Sequence, residues 1–200
     1  MFYYKIKMIK NFILIIFLLA GSAVYAQFTV TIKWQPIKRG NAGDTIYYDP
    51  EKKLEWADFK GRPVAVSPAA AITESGFGYK MSMQSLNKKT NVVITVFCYF
   101  NKQHSLVKKD MDSDYALLHE QHHYDITYIN ACLFMQKLKD AQMNLGNYNY
   151  LVEKIHDESF EALDQMQNEY DGQTYNGRIN RVQNTWNKKI DQQLAALIIN

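Results

Sequence analysis

The stretch Leu117-Leu-His-Glu-Gln-His-His-Tyr-Asp-Ile126 decides how this chain is read. It sets His119, Glu120 and His123 in the order H-E-x-x-H inside a pattern of helical period. Residues four apart differ by about 40° around a helix, so the His119 and His123 imidazoles can point at one metal ion. Glu120 lies about 60° beyond His123, within reach of a water molecule on that ion, and is the expected general base. Zinc held this way lowers the pKa of the water to about 7 and polarises a carbonyl, while Glu120 passes a proton to a leaving amine.

The same helical wheel sorts the neighbours. With His119 at zero, Tyr115, Leu118, Ile126, Ile129 and Leu133 fall between about 260° and 340°, which predicts the core face, and His122 falls among them. His122 is therefore expected to be a buried, hydrogen-bonded residue rather than a ligand. Asp125 and Cys132 are about 200° and 180° from His123 and cannot share its metal on an unbroken helix. A catalytic zinc takes a third protein ligand. The extended H-E-x-x-H-x-x-G-x-x-H pattern is absent, so that ligand has to come from a later helix. His156, Glu158, Glu161, Glu169 and Asp171 are the candidates. Asp171 is the best placed, because the Asp171-Gly172 pair reads as a helix break where a side chain can be aimed. Tyr170 beside it is a candidate oxyanion stabiliser.

Upstream of the motif the period is two. Phe28, Val30, Ile32 and Trp34 alternate with polar residues, and Thr45 to Tyr48 and Gly76 to Met81 are shorter strand candidates. Asn91 to Phe100 is β-branched and aromatic on both faces, which predicts a central strand. Leu54 to Gly61 reads as a short helical turn or loop. Downstream, Asp112, Ser113 or Asp114 can cap a helix running to about Lys139. Gly146 breaks the chain, and two further helices carry Leu151 to Tyr170 and Ile179 to Leu197 at helical spacing. The expectation is an α+β fold, a mostly antiparallel N-terminal sheet followed by three helices, zincin-like, with H-E-x-x-H on the first long helix.

Met1 to Ala26 has the three parts of a secretory signal: a basic stretch to Lys10, an apolar run from Phe12 to Ala20, and small residues ending in Val24-Tyr-Ala26. Cleavage there leaves Gln27 to Asn200 as one exported domain, periplasmic or extracellular, with no later membrane span. The formal charge of +3 includes Lys5, Lys7 and Lys10, so the remainder is neutral and carries no electrostatic footprint of nucleic-acid binding. A chain that is 47% apolar is not disordered. Two cysteines, Cys98 and Cys132, are too few for a disulfide framework.

Several segments together resemble the bacterial family known as domain of unknown function 922, described as predicted secreted zinc-dependent proteases. They are Leu54-Glu-Trp-Ala-Asp-Phe-Lys-Gly61, Ala70-Ala-Ile-Thr73, Cys98-Tyr-Phe100, the Leu117 to Ile126 stretch, and Met166 to Asp171 with Thr174, Gly177, Gln183 and Trp186. The resemblance implies a secreted metalloprotease with Zn2+ as cofactor and a peptide or protein as substrate. This chain departs from the pattern at Tyr128 and Cys132, where the family carries Glu and Arg. After Tyr170-Asp171 the family continues with Glu, Thr and His, and this chain has Gln173, Thr174 and Asn176. A catalytically silent binding or envelope-associated protein on the same fold, using Tyr148 and Tyr150 as contact residues, is the alternative expectation.

Overall fold

Lys89-Thr-Asn-Val-Val-Ile-Thr-Val-Phe-Cys-Tyr-Phe-Asn101 forms a 13-residue strand that every other strand of the main sheet pairs with. The structure is a computed structural model describing residues 27–36, 43–63 and 69–198. The expected signal segment, Met1 to Ala26, lies outside the described residues. In chain order the strands are β1 (Gln27–Trp34), β2 (Thr45–Tyr47), β3 (Ala71–Ile72), β4 (Ser75–Leu86), β5 (Lys89–Asn101) and β6 (Leu106–Val107). Three helices follow: α1 (Asp114–Asp140), α2 (Tyr148–Thr174) and α3 (Asn180–Ile198). A single 3-10 turn, Trp56–Asp58, stands where the sequence predicts a short turn.

The main sheet is mixed: β2 and β4 pair with β5 in the expected antiparallel sense, and β1 departs from it by pairing parallel. β4 joins β5 in a hairpin whose two turn residues, Asn87 and Lys88, both have positive φ, as a tight primed turn requires. That hairpin takes one edge of β5. β1 takes the other edge and runs parallel to β5, while β2 continues along the same edge in the antiparallel sense. Alternation of period two is the same for both directions, so the sequence pattern carries no information about strand sense. β3 and β6 form a separate two-stranded ribbon.

Val92, Ile94, Val96, Cys98 and Phe100 of β5 are buried against the helices, and the alternate residues are only half covered. The strand is central, yet one face alone is fully buried. Opposite it α1 contributes Ile126, Ile129, Phe134 and Leu138 to the core, and α2 and α3 add Val152, Leu163, Tyr170, Trp186 and Ile190. Ser113 caps α1, accepting a hydrogen bond from the Ala116 N–H at 3.2 Å.

The predicted core face of α1 holds only in part. Ile126 and Ile129 are buried, but Tyr115, Leu118 and Leu133 are 39%, 43% and 49% exposed, while every residue from His119 to Thr127 is buried. The wheel assumes one covered face, whereas the middle of α1 packs against the sheet, α2 and α3 together. A second correction concerns Asp171-Gly172. α2 runs through the pair to Thr174 and ends at Tyr175, which is left-handed, so Asp171 sits in the last turn of an unbroken helix. No helix among the described residues is long and apolar enough to cross a membrane. Cys98 and Cys132 are both free thiols.

Candidate metal centre

α1 presents His119 and His123 on one side, as residues four apart must be. From α2, Asp171 meets them. The His119 Nε2 to His123 Nε2 distance is 3.2 Å, and Asp171 Oδ1 is 3.1 Å from the first and 3.0 Å from the second. Three ligand atoms bound to one tetrahedral ion at about 2.0 to 2.2 Å stand roughly 3.3 to 3.6 Å apart. The triangle therefore has nearly the size such an ion requires. Among the described residues these three form the one group of histidine, cysteine and carboxylate side chains able to hold a metal.

The other candidate ligands lie elsewhere. His156 packs among Phe77, Tyr79, Phe134 and Phe160. Glu158 faces Lys154 at 3.8 Å, and Glu169 accepts a hydrogen bond from Gln165 at 2.9 Å. Asp125 is buried and accepts from the Tyr48 hydroxyl and Gln121 Nε2, each at 2.8 Å. It anchors the other side of α1, where the Leu54 N–H also donates to Gln121 Oε1. His122 is buried with Nδ1 unpartnered and Nε2 3.7 Å from Asp191 Oδ1, and burial lowers its pKa.

Glu120 is 5% exposed, lines the cleft beside the triangle, and has a buried Oε2 with no hydrogen-bond partner. A buried carboxylate oxygen left bare is costly unless a donor completes it. Its position suits it to receive a proton. Tyr170 is placed differently from the expectation. Its ring stacks on His119 with centroids 4.7 Å apart, and its hydroxyl donates weakly to the His119 carbonyl and accepts from Gln183. It is fully buried behind the histidines and acts as a platform for them, so this placement lends no support to an oxyanion role.

The turn after α2 closes one end of the site. Tyr175, Asn176 and Gly177 all have positive φ, and a Cβ on Gly177 would meet the His119 ring at 3.3 Å. Glycine there lets the backbone touch the imidazole, and the Gly177 carbonyl is held by the Tyr115 hydroxyl at 2.6 Å. The cleft over the triangle has a volume of about 620 Å³. Ala69 to Thr73 form one wall and Phe160, Leu163 and Gln167 another, with Asn176 and Arg178 at the turn.

Electrostatics already favour a cation at this point. Burial alone would raise the Asp171 carboxyl, but the hydrogen bonds from His119 and His123, and their charge, hold it well below the usual carboxylate range. Burial works against charge on His123, yet the Asp171 hydrogen bond and the Glu120 and Asp171 charges outweigh it and raise this imidazole above its ordinary value. A metal must displace the His123 proton, so affinity is expected to fall as pH drops through that raised pKa, by up to about tenfold per unit. Titration calorimetry in buffers of different ionisation enthalpy should count close to one proton released per ion below the pKa and none well above it. Affinity that ignores pH from 5 to 8 would remove His123 from the ligand set.

Gln167 and Gln183, which contact the outer nitrogens of the two histidines, carry no signal of metal chemistry in residue type or spacing, although both stand among the positions quoted for the family resemblance. Gln167 could have been found, because it lies four residues before Asp171 and so on the same face of α2. Compared with protein-family models, curated proteins and solved structures, the chain matches none, and the reading of this site rests on its own geometry.

Proposed function

We propose that this chain is an exported, zincin-like zinc metallopeptidase whose metal is held by His119, His123 and Asp171 and whose general base is Glu120. The observation that carries the reading is the near-equilateral triangle of two imidazole nitrogens and one carboxylate oxygen, with the unpartnered Glu120 carboxylate beside it. Two histidines and a carboxylate are a ligand set of hydrolytic zinc, which keeps its fourth position for water or substrate. Bound there, zinc supplies a Lewis acid that polarises a carbonyl oxygen and makes a water molecule acidic near neutral pH.

The protein's own residues do the rest. Glu120 Oε2 takes the proton of the attacking water and delivers it to the departing amine nitrogen. Asp171 balances positive charge at the triangle. β3 is paired on one edge by β6, and Ala69 to Thr73 line the cleft, so an extended peptide has main-chain groups to lie along. Phe160 and Leu163 opposite offer apolar contact to its side chains. The placement of β3 along the cleft is what supports a peptide or protein substrate. Export rests on the signal-like Met1 to Ala26 segment.

Elemental analysis of protein purified without chelator tests the metal. Zinc close to one per chain is expected for the wild type, and none for the variant with both His119 and His123 changed to alanine. A wild type that stays free of zinc after reconstitution would falsify the proposal.

A further inference from the structure

The two histidines are each gripped by a glutamine, and the hydrogen-bonding inventory of those glutamines restricts which ring nitrogen can carry the proton. Gln183, on α3, sets its Oε1 2.8 Å from His119 Nδ1. Its two Nε2 hydrogens go to oxygens, the Tyr170 hydroxyl and Asn187 Oδ1, the latter at 2.6 Å. Gln167, on α2, sets its Oε1 against His123 Nδ1. Its Nε2 donates to the His123 carbonyl at 2.9 Å and to Thr127 Oγ1 at 3.1 Å. Reversing the Gln167 carboxamide would press an oxygen against the His123 carbonyl, which can only accept.

A carboxamide oxygen also only accepts, so the nitrogen facing it must donate. That requirement puts a hydrogen on Nδ1 of both rings and leaves each neutral ring with a bare Nε2. The two bare nitrogens converge with the Asp171 carboxylate oxygen inside 3.2 Å. Three acceptors that close repel one another unless a positive charge lies among them, either a metal ion or the extra proton of a charged imidazole, which is the form that donates to Asp171.

We propose that Gln167 and Gln183 are positioning residues that lock His123 and His119 in the Nδ1–H tautomer, so that both ligand nitrogens are set for a divalent cation before it arrives. The inference rests on the metal reading above and deepens it. Outer partners of metal-bound histidines fix tautomer and ring plane, and here both are neutral carboxamides. A carboxylate in the same place would draw the Nδ1 proton toward itself and add negative charge. With amides, Asp171 and Glu120 are the carboxylates beside the two rings among the described residues. Gln183 also ties α3 to the site, because the residue that holds the His119 ring also holds Tyr170, the platform under that ring.

The test uses the full-length chain labelled with nitrogen-15 at histidine, and the metal probe is zinc alone. Long-range proton–nitrogen correlation spectra of the metal-free protein at pH 8.5 report which ring nitrogen is protonated. Nδ1–H is expected at both His119 and His123. Gln167→Leu and Gln183→Leu remove the acceptor and should shift the corresponding ring toward Nε2–H, with zinc bound ten- to a hundredfold more weakly. Gln183→Glu keeps an acceptor at His119, and its second oxygen faces the Tyr170 hydroxyl and the Asn187 carboxamide, which can both turn to donate, so it should recover Nδ1–H and most of the affinity, a rescue that mere loss of packing would not show. Gln167 is only half-buried, so Gln167→Leu keeps the test open if changes at the fully buried Gln183 prevent folding.

Nε2–H in the metal-free wild type, or leucine variants that bind zinc as the wild type does, would overturn the inference. A wild type with Nδ1–H at both rings and no affinity for zinc would instead sink the metallopeptidase reading and leave the tautomer assignment standing.

Discussion

Glu120→Gln is expected to leave zinc content at one per chain and to remove peptide hydrolysis, with the rate falling by about a hundred- to ten-thousandfold. Glutamine keeps the size of the side chain and one oxygen, and it contributes nothing to the triangle formed by His119, His123 and Asp171. What it cannot do is accept and return a proton. Because Glu120 Oε2 is buried without a partner, the native carboxylate also weighs against stability, a cost that functional sites commonly carry. The amide variant should therefore melt no lower than the wild type. Elemental analysis, turnover of an unfolded protein substrate and a thermal scan on the same preparation read all three effects. Hydrolysis at the wild-type rate with zinc in place would show that another group moves the proton.

The parts of this molecule that were legible in its sequence are those encoded locally. H-E-x-x-H needs only one helix to bring His119 and His123 together, and Ser113 marks where that helix starts. The alternation in β1 and the β-branched run of β5 gave both strands within one or two residues at each end. Strand direction was not legible, since β1 beside β5 has the same alternation in either sense. Nor was the burial of α1, because the wheel presumes one covered side and α1 is enclosed by three neighbours over nine consecutive residues.

Contacts over long sequence separations were the least visible. Asp171 was singled out for a break that the helix does not have, and it reaches the histidines from an intact last turn. The bond from His119 to Gln183 spans 64 residues, and no spacing rule connects two helices whose relative rotation is set by packing. Of the residues quoted for the family resemblance, Gly177 and Gln183 both touch the His119 ring in the structure. The downstream position where the family carries His is Asn176, on the rim of the cleft. In the proposed site Asp171 is the third ligand because it is the one carboxylate among the described residues grouped with the two histidines.

Asp171→Ala is accordingly expected to weaken zinc binding by more than a hundredfold, beyond what losing an outer partner of a ligand costs. Two imidazoles from one helix remain, still bonded to α2 through Gln167 and Tyr170, but the triangle has lost its carboxylate and with it the charge that offsets the ion. The metal-free protein should respond as well, in a direction fixed by linkage. The folded state holds this carboxyl below the usual range, so ionised Asp171 stabilises the fold at any pH above the unfolded value of about 3.9. That contribution fades as pH falls toward the depressed folded value. The variant should thus be less stable than the wild type at pH 7, and the gap should narrow in acid. Competition against a fluorescent zinc chelator measures the affinity, and denaturant titrations at pH 7 and pH 3 measure the gap. Unchanged zinc affinity would move the third ligand along the cleft to Asp164, seven residues before Asp171 and one turn from Phe160 on α2, the next carboxylate lining it.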